Sequence, residues 1–123
     1  MKIERELMRG AGPVAVLKLL AGGAKYGYEL VEALSAQTEG VLAMGQSTLY
    51  PLLYNLEAQG LIVGHWASAP SGRDRKYYSL TPAGQKRLVH DTAQWSSVVL
   101  ALSKLGVIPS ASRLVWQGGH DDR

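Results

Sequence analysis

The 123-residue sequence has no cysteine, so a disulfide framework and a thiolate metal site are excluded together, as fits a reducing compartment. Its apolar runs stay far below the roughly 20 residues that a membrane helix needs. The charged opening Met1-Lys2-Ile3-Glu4-Arg5-Glu6 has no apolar segment behind it of the kind a signal peptide carries. A soluble, cytoplasmic protein is the expectation. Histidine is scarce, at His65, His90 and His120 only. No glycine-rich phosphate loop, Gly-x-Ser-x-Gly elbow or His-Glu-x-x-His pattern is present, so neither an enzyme nor a cofactor is expected. His120 with Asp121 and Asp122 makes a weak metal-ligand pattern that a polar terminus explains better. His90 reads as a surface feature before a pH switch.

With 46% apolar and 19% charged residues, the composition is that of one globular domain, with a core and an exposed arm. Thirteen Lys and Arg against 10 Asp and Glu give a net charge of +3, which leans toward polyanionic partners.

The organisation emerges from the punctuation. Pro13 through Leu20 is an apolar block that Gly22-Gly23 stops, which predicts a helix over 13–21 or longer upstream. Leu30, Val31 and Leu34 form a helical stripe in a second segment opening at Tyr26 and leaving through Gln37-Thr38-Glu39-Gly40. A third helix starts near Ser47, whose hydroxyl suits an N-cap, and ends at Gly60, placed for a left-handed C-terminal residue. Its leucines at 49, 52, 53 and 56 share one buried face. Thr48, Tyr50, Pro51, Asn55 and Gln59 point elsewhere, and this set is polar and aromatic. The order of three short helices is that of a helix-turn-helix.

After Gly60 the period changes. Leu61–Trp66 and Lys76–Leu80 are rich in branched and aromatic residues and flank turn material, which predicts a two-stranded hairpin. Arg73, Arg75 and Lys76 cluster at its tip and second strand, as in a wing that grips backbone phosphate. Thr81-Pro82 then opens a last helix reaching about residue 105. Along it Leu88, Thr92, Trp95, Val99 and Leu102 recur at alternating four- and three-residue steps, the seam of a helix that packs on another long helix. A domain this small leaves little core to cover that seam, so a homodimer is expected; folding back on the first helix is the competing arrangement. Residues 107–123 read as a flexible tail, with Leu114, Val115 and Trp116 as an optional anchor.

Three motifs carry a resemblance. Ser47-Thr48-Leu49-Tyr50-Pro51-Leu52-Leu53-Tyr54-x-Leu56-Glu57-x-x-Gly60-Leu61-Ile62, Gly72-Arg73-x-Arg75-Lys76-Tyr77-Tyr78-x-Leu80-Thr81-x-x-Gly84, and Gly27-Tyr28-Glu29-Leu30 resemble the PadR family of bacterial transcriptional regulators over about residues 10–105. The resemblance implies a mainly α fold with a two-stranded β-hairpin: a winged helix-turn-helix over 1–81 and a dimerisation helix over 82–106. It also implies a repressor that binds an inverted-repeat operator in double-stranded DNA as a homodimer. Ser47, Thr48, Tyr50 and Asn55 would meet the major groove, and Arg73, Arg75 and Lys76 would hold the wing on the backbone or minor groove. Relatives are released by small aromatic or phenolic compounds or by planar drugs at the dimer interface, and Trp95 is the residue placed for such an effector. Tyr26 stands where many relatives carry histidine, so no role is transferred to it. The alternative is a winged-helix module that binds only other proteins; it expects weak, fully salt-labile binding to the upstream DNA.

Overall fold

A computed structural model describes residues 1–109. Helix α1 spans Arg5–Ala21, strand β1 Lys25–Tyr26, α2 Gly27–Gln37, α3 Gln46–Ala58, β2 Ile62–Ser68, β3 Asp74–Leu80 and α4 Pro82–Lys104. The described residues fall into two compact units, one over Met1–Val89 and one beginning at His90. Residues 110–123, with the expected tail beyond Pro109 and the group His120, Asp121 and Asp122, lie outside the described residues.

In the first unit each helix contributes one apolar stripe to a common core. Val16, Leu17 and Leu20 of α1 meet Leu30 and Leu34 of α2, Leu49, Leu53 and Leu56 of α3, and Ile62 and Tyr78 of the sheet. Burial of these side chains is what orders helices too short to be stable alone. Helix α1 begins well before Pro13, which sits inside it rather than in its first turn. Tertiary packing explains the extension. Met8 is buried, and Gly12 packs against Met44 and Leu52, where an added Cβ would stand at ordinary contact distance, 3.4 and 3.5 Å, from their side chains.

The sheet has a third strand that the sequence did not announce. Its order is β1-β3-β2, antiparallel throughout, with Lys25 opposite Tyr78 and Tyr26 opposite Tyr77. Tyr26 therefore belongs to a strand and precedes α2, where its N–H donates to the Glu29 carboxylate at 3.1 Å. Strands β2 and β3 pair from Ile62–Leu80 at the base to Ser68–Asp74 at the tip. The tip is short, closed by Ala69 N–H to the Arg73 carbonyl at 2.9 Å and by Gly72 N–H to the Ala69 carbonyl at 2.8 Å.

Helix α3 is capped differently from expectation. Gly45 occupies the N-cap with no side-chain hydrogen bond, and Ser47 lies exposed within the first turn. The carbonyl of Gly45 instead receives the N–H groups of Thr48 and Leu49 at 3.1 and 3.0 Å. At the other end Gly60 is left-handed, with φ 76°, and Leu61 N–H reaches back to the Leu56 carbonyl at 3.0 Å. That closure turns the chain directly into β2.

Thr81 organises the start of α4. Its hydroxyl donates to the Gly60 carbonyl at 2.7 Å and accepts the Gly84 N–H at 3.0 Å. Its own N–H donates to the Leu61 carbonyl at 3.1 Å. In the second unit Trp95, Val99 and Leu102 are half-buried, and Thr92 is exposed. The helix closes through left-handed Gly106, with Val107 N–H on the Leu102 carbonyl at 2.9 Å.

Candidate nucleic-acid interface

Two neighbouring surfaces of the first unit make the candidate site: the outward face of α3 and the hairpin β2–β3. The outward face follows from the leucine stripe. With Leu49, Leu53 and Leu56 buried, Gln46, Ser47, Thr48, Tyr50, Pro51, Tyr54, Asn55 and Ala58 are left exposed. Tyr50, Pro51, Tyr54, Asn55 and Ala58 line a shallow groove along it. Asn55 is held by Gln59, whose Nε2 donates to its Oδ1 at 2.8 Å. Among the described residues nothing engages the Asn55 amide nitrogen, which can donate outward.

The two tyrosines of this face differ. Tyr54 is 77% exposed, whereas Tyr50 is 43% exposed and its hydroxyl lies over Gly27, at the start of α2. A Cβ at position 27 would stand 2.2 Å from that oxygen. Gly27 thus lets the Tyr50 ring cross from α3 to α2, and Tyr50 is both a packing residue and part of the outward face.

The three wing cations occupy different situations. Arg73 is exposed at the tip, and among the described residues it makes no ion pair or ring contact. The Arg75 guanidinium lies 4.3 Å from the centre of the Tyr26 ring, a cation–π contact that holds it along the sheet. Tyr26 in turn meets Tyr77 edge-on at 5.4 Å, and Tyr77 stacks on His65. Lys76 turns toward α3, where its Nζ donates to Oε1 of Glu57 at 3.3 Å. It also lies 5.4 Å from the Tyr78 ring. Burial raises the Tyr78 phenol above its ordinary value, and the Lys76 charge opposes that rise.

Two residues of this region went unassigned in the sequence. Glu57 is the one charged residue of α3, and a lone carboxylate ahead of a basic hairpin was the available signal. Trp66, opposite Lys76 in the strand register, is 69% exposed on the wing. Among the described residues no group of histidine and acidic side chains could hold a metal, and no helix is long and apolar enough to cross a membrane.

A three-helix core with a recognition helix running into a basic two-stranded wing is a winged helix-turn-helix. Residues 16–90 match the family model described as the transcriptional regulator PadR-like family. The chain is 37% identical over 87 residues to the transcriptional regulator Rv3488 of Mycobacterium tuberculosis, covering 71% of this chain and 78% of that one. Its fold is similar to a PadR family transcriptional regulator from Eggerthella lenta, with a TM-score of 0.71 and 38% identity over 81% of this chain and 85% of that one. A transcriptional regulator from Clostridium thermocellum aligns with a TM-score of 0.75 and 27% identity, over 83% and 96% of the two chains. The chain belongs to the PadR-like family of transcriptional regulators. It acts through DNA-binding regulation and not as an enzyme.

Proposed function

We propose that this regulator is a repressor that binds an inverted-repeat operator as a homodimer and leaves it when a small aromatic effector binds. The observation that carries the reading is the pairing of an uncharged, outward face on α3 with an exposed cation at the wing tip. Ser47, Thr48, Tyr50 and Asn55 then meet the major groove, Asn55 through its amide donor. Arg73 and Arg75 hold the wing on the phosphate backbone.

Of the seam Leu88, Thr92, Trp95, Val99 and Leu102, Leu88 is already buried in the core of the first unit, so the dimer contact falls to the other four. Support for it lies in its spacing and in three half-buried apolar side chains beyond His90. A planar aromatic effector stacks between the paired Trp95 rings. It induces only if it binds the DNA-free dimer better than the DNA-bound one.

Fluorescence anisotropy on duplexes from the protein's own upstream region tests the reading. One dimer per inverted repeat is expected, with half-site centres about one helical turn or a multiple of it apart. Monomers occupying single half-sites with undiminished affinity would remove the dimer. Weak binding that salt abolishes completely would leave a protein-binding module in its place.

A further inference from the structure

We propose that Lys76 is a positioning residue. With Glu57 and the backbone of Gly64 it latches the wing to the recognition helix, and it does not itself hold DNA phosphate. The inference rests on the assignment of α3 and the wing as the DNA-reading surface.

Both oxygens of the Glu57 carboxylate are engaged by the hairpin. Oε1 accepts from Lys76 on β3 at 3.3 Å, and Oε2 accepts the N–H of Gly64 on β2 at 3.3 Å. The one charge of the recognition helix thus grips both strands of the wing. Gly64 is the point where the pair crosses the sheet: an added Cβ there would stand 2.3 Å from Cε of Lys76 and 3.2 Å from Oε2 of Glu57. The two charged side chains are 33% and 32% exposed, so water screens them less than a pair on the rim. A phosphate that drew Lys76 away would leave Glu57 unpaired beside a polyanion. Arg73, exposed at the tip, has no such partner to abandon among the described residues.

The two possible roles of Lys76 give opposite signs at Glu57. If Lys76 held phosphate, neutralising Glu57 would release a cation and strengthen binding. If Lys76 is a latch, the same change loosens the wing and weakens binding.

The test uses the full chain and an upstream duplex, with affinity measured across a range of salt. Glu57→Gln and Lys76→Met should each weaken binding by about two- to fivefold, the size of a partly exposed ion pair, with an unchanged salt slope. Exchanging the charges, Glu57→Lys with Lys76→Glu, should recover only the part of the loss that belongs to the ion pair, because an ammonium at position 57 cannot accept the Gly64 N–H. Gly64→Ala keeps both charges but fills the crossing, and should repeat the loss. In the DNA-free protein, hydrogen exchange at the Gly64 amide should accelerate in Glu57→Gln and in Lys76→Met. Tighter binding by Glu57→Gln overturns the latch, as does a salt slope lowered by about one in Lys76→Met. A Gly64 amide indifferent to both substitutions overturns it as well. If that amide responds while the unaltered protein binds no upstream duplex, the latch stands and the DNA-reading assignment falls.

Discussion

Replacing Gly84 by alanine sets two magnitudes against each other. Gly84 lies in the first turn of α4, where alanine is the better helix former by about 1 kcal/mol, so propensity alone predicts a more stable protein. Packing predicts the reverse. The new Cβ would stand 2.0 Å from the Leu61 carbonyl oxygen and 2.8 Å from Cδ1 of Leu80. The oxygen is fixed backbone at the entry to β2 and already accepts the Thr81 N–H at 3.1 Å. Relief requires the helix start to retreat by more than 1 Å, roughly the gap to ordinary contact distance. That retreat strains both hydrogen bonds of the Thr81 hydroxyl, to the Gly60 carbonyl and from the Gly84 N–H. Overpacking costs about 1–3 kcal/mol and each weakened hydrogen bond about 1 kcal/mol. Net of the propensity gain, Gly84→Ala should destabilise by about 2–4 kcal/mol. Urea unfolding at one fixed protein concentration measures it, as a midpoint lowered by roughly 1–2 M at unchanged slope. A midpoint equal to or above that of the unaltered protein would refute the clash.

Arg73→Gln should weaken binding to all duplexes alike and lower the salt slope by about one, whereas Asn55→Ala should relax preference at one base pair by roughly 1–3 kcal/mol; a titration of operator variants across salt separates them. Val99→Lys places a charge on the proposed seam and should shift sedimentation toward monomer, with operator affinity falling in parallel. Because burial raises the Tyr78 phenol, its contribution to stability is fully present below pH 10.0, the ordinary value, and is lost as pH rises through the higher folded value. Alkaline unfolding followed by circular dichroism should therefore begin later in Tyr78→Phe. In a chain with Trp66 and Trp116 replaced, a planar aromatic compound should quench Trp95 emission and lower operator affinity; if it does neither, Trp95 only fills an interface.

What could be read from the sequence was local. The leucine stripe at 49, 52, 53 and 56, the glycine at 60 and the Thr81-Pro82 start are each decided within a few residues, and the structure has them as expected except that Leu52 is only partly buried. The misses are long-range or tertiary. Strand β1 is two residues long and forms only because β3, some 50 residues onward, offers it an edge. Ser47 carries good capping chemistry, yet the chain enters α3 one residue before Gln46, so glycine holds the cap and serine faces outward. Proline at position 13 suggested a helix start, but burial of Met8 and Gly12 extends α1 past it. The cluster Arg73, Arg75 and Lys76 looked uniform in sequence. Strand alternation sends Lys76 to the α3 side and Arg75 to Tyr26, a distinction visible only once Glu57 and β1 have positions.

Helix α3 carries no cation, and its single anion is turned back to the wing. On an arbitrary stretch of genomic DNA such a helix contributes almost nothing, since nonspecific attraction comes from phosphate neutralisation. Cations elsewhere set how long the protein lingers at wrong sites, and the helix is silent there. Each matched base edge is then added to a nearly empty background. Substitutions along α3 should move the ratio of operator to bulk DNA affinity, and with it the number of molecules a cell needs to keep one operator filled among a great excess of competing sites.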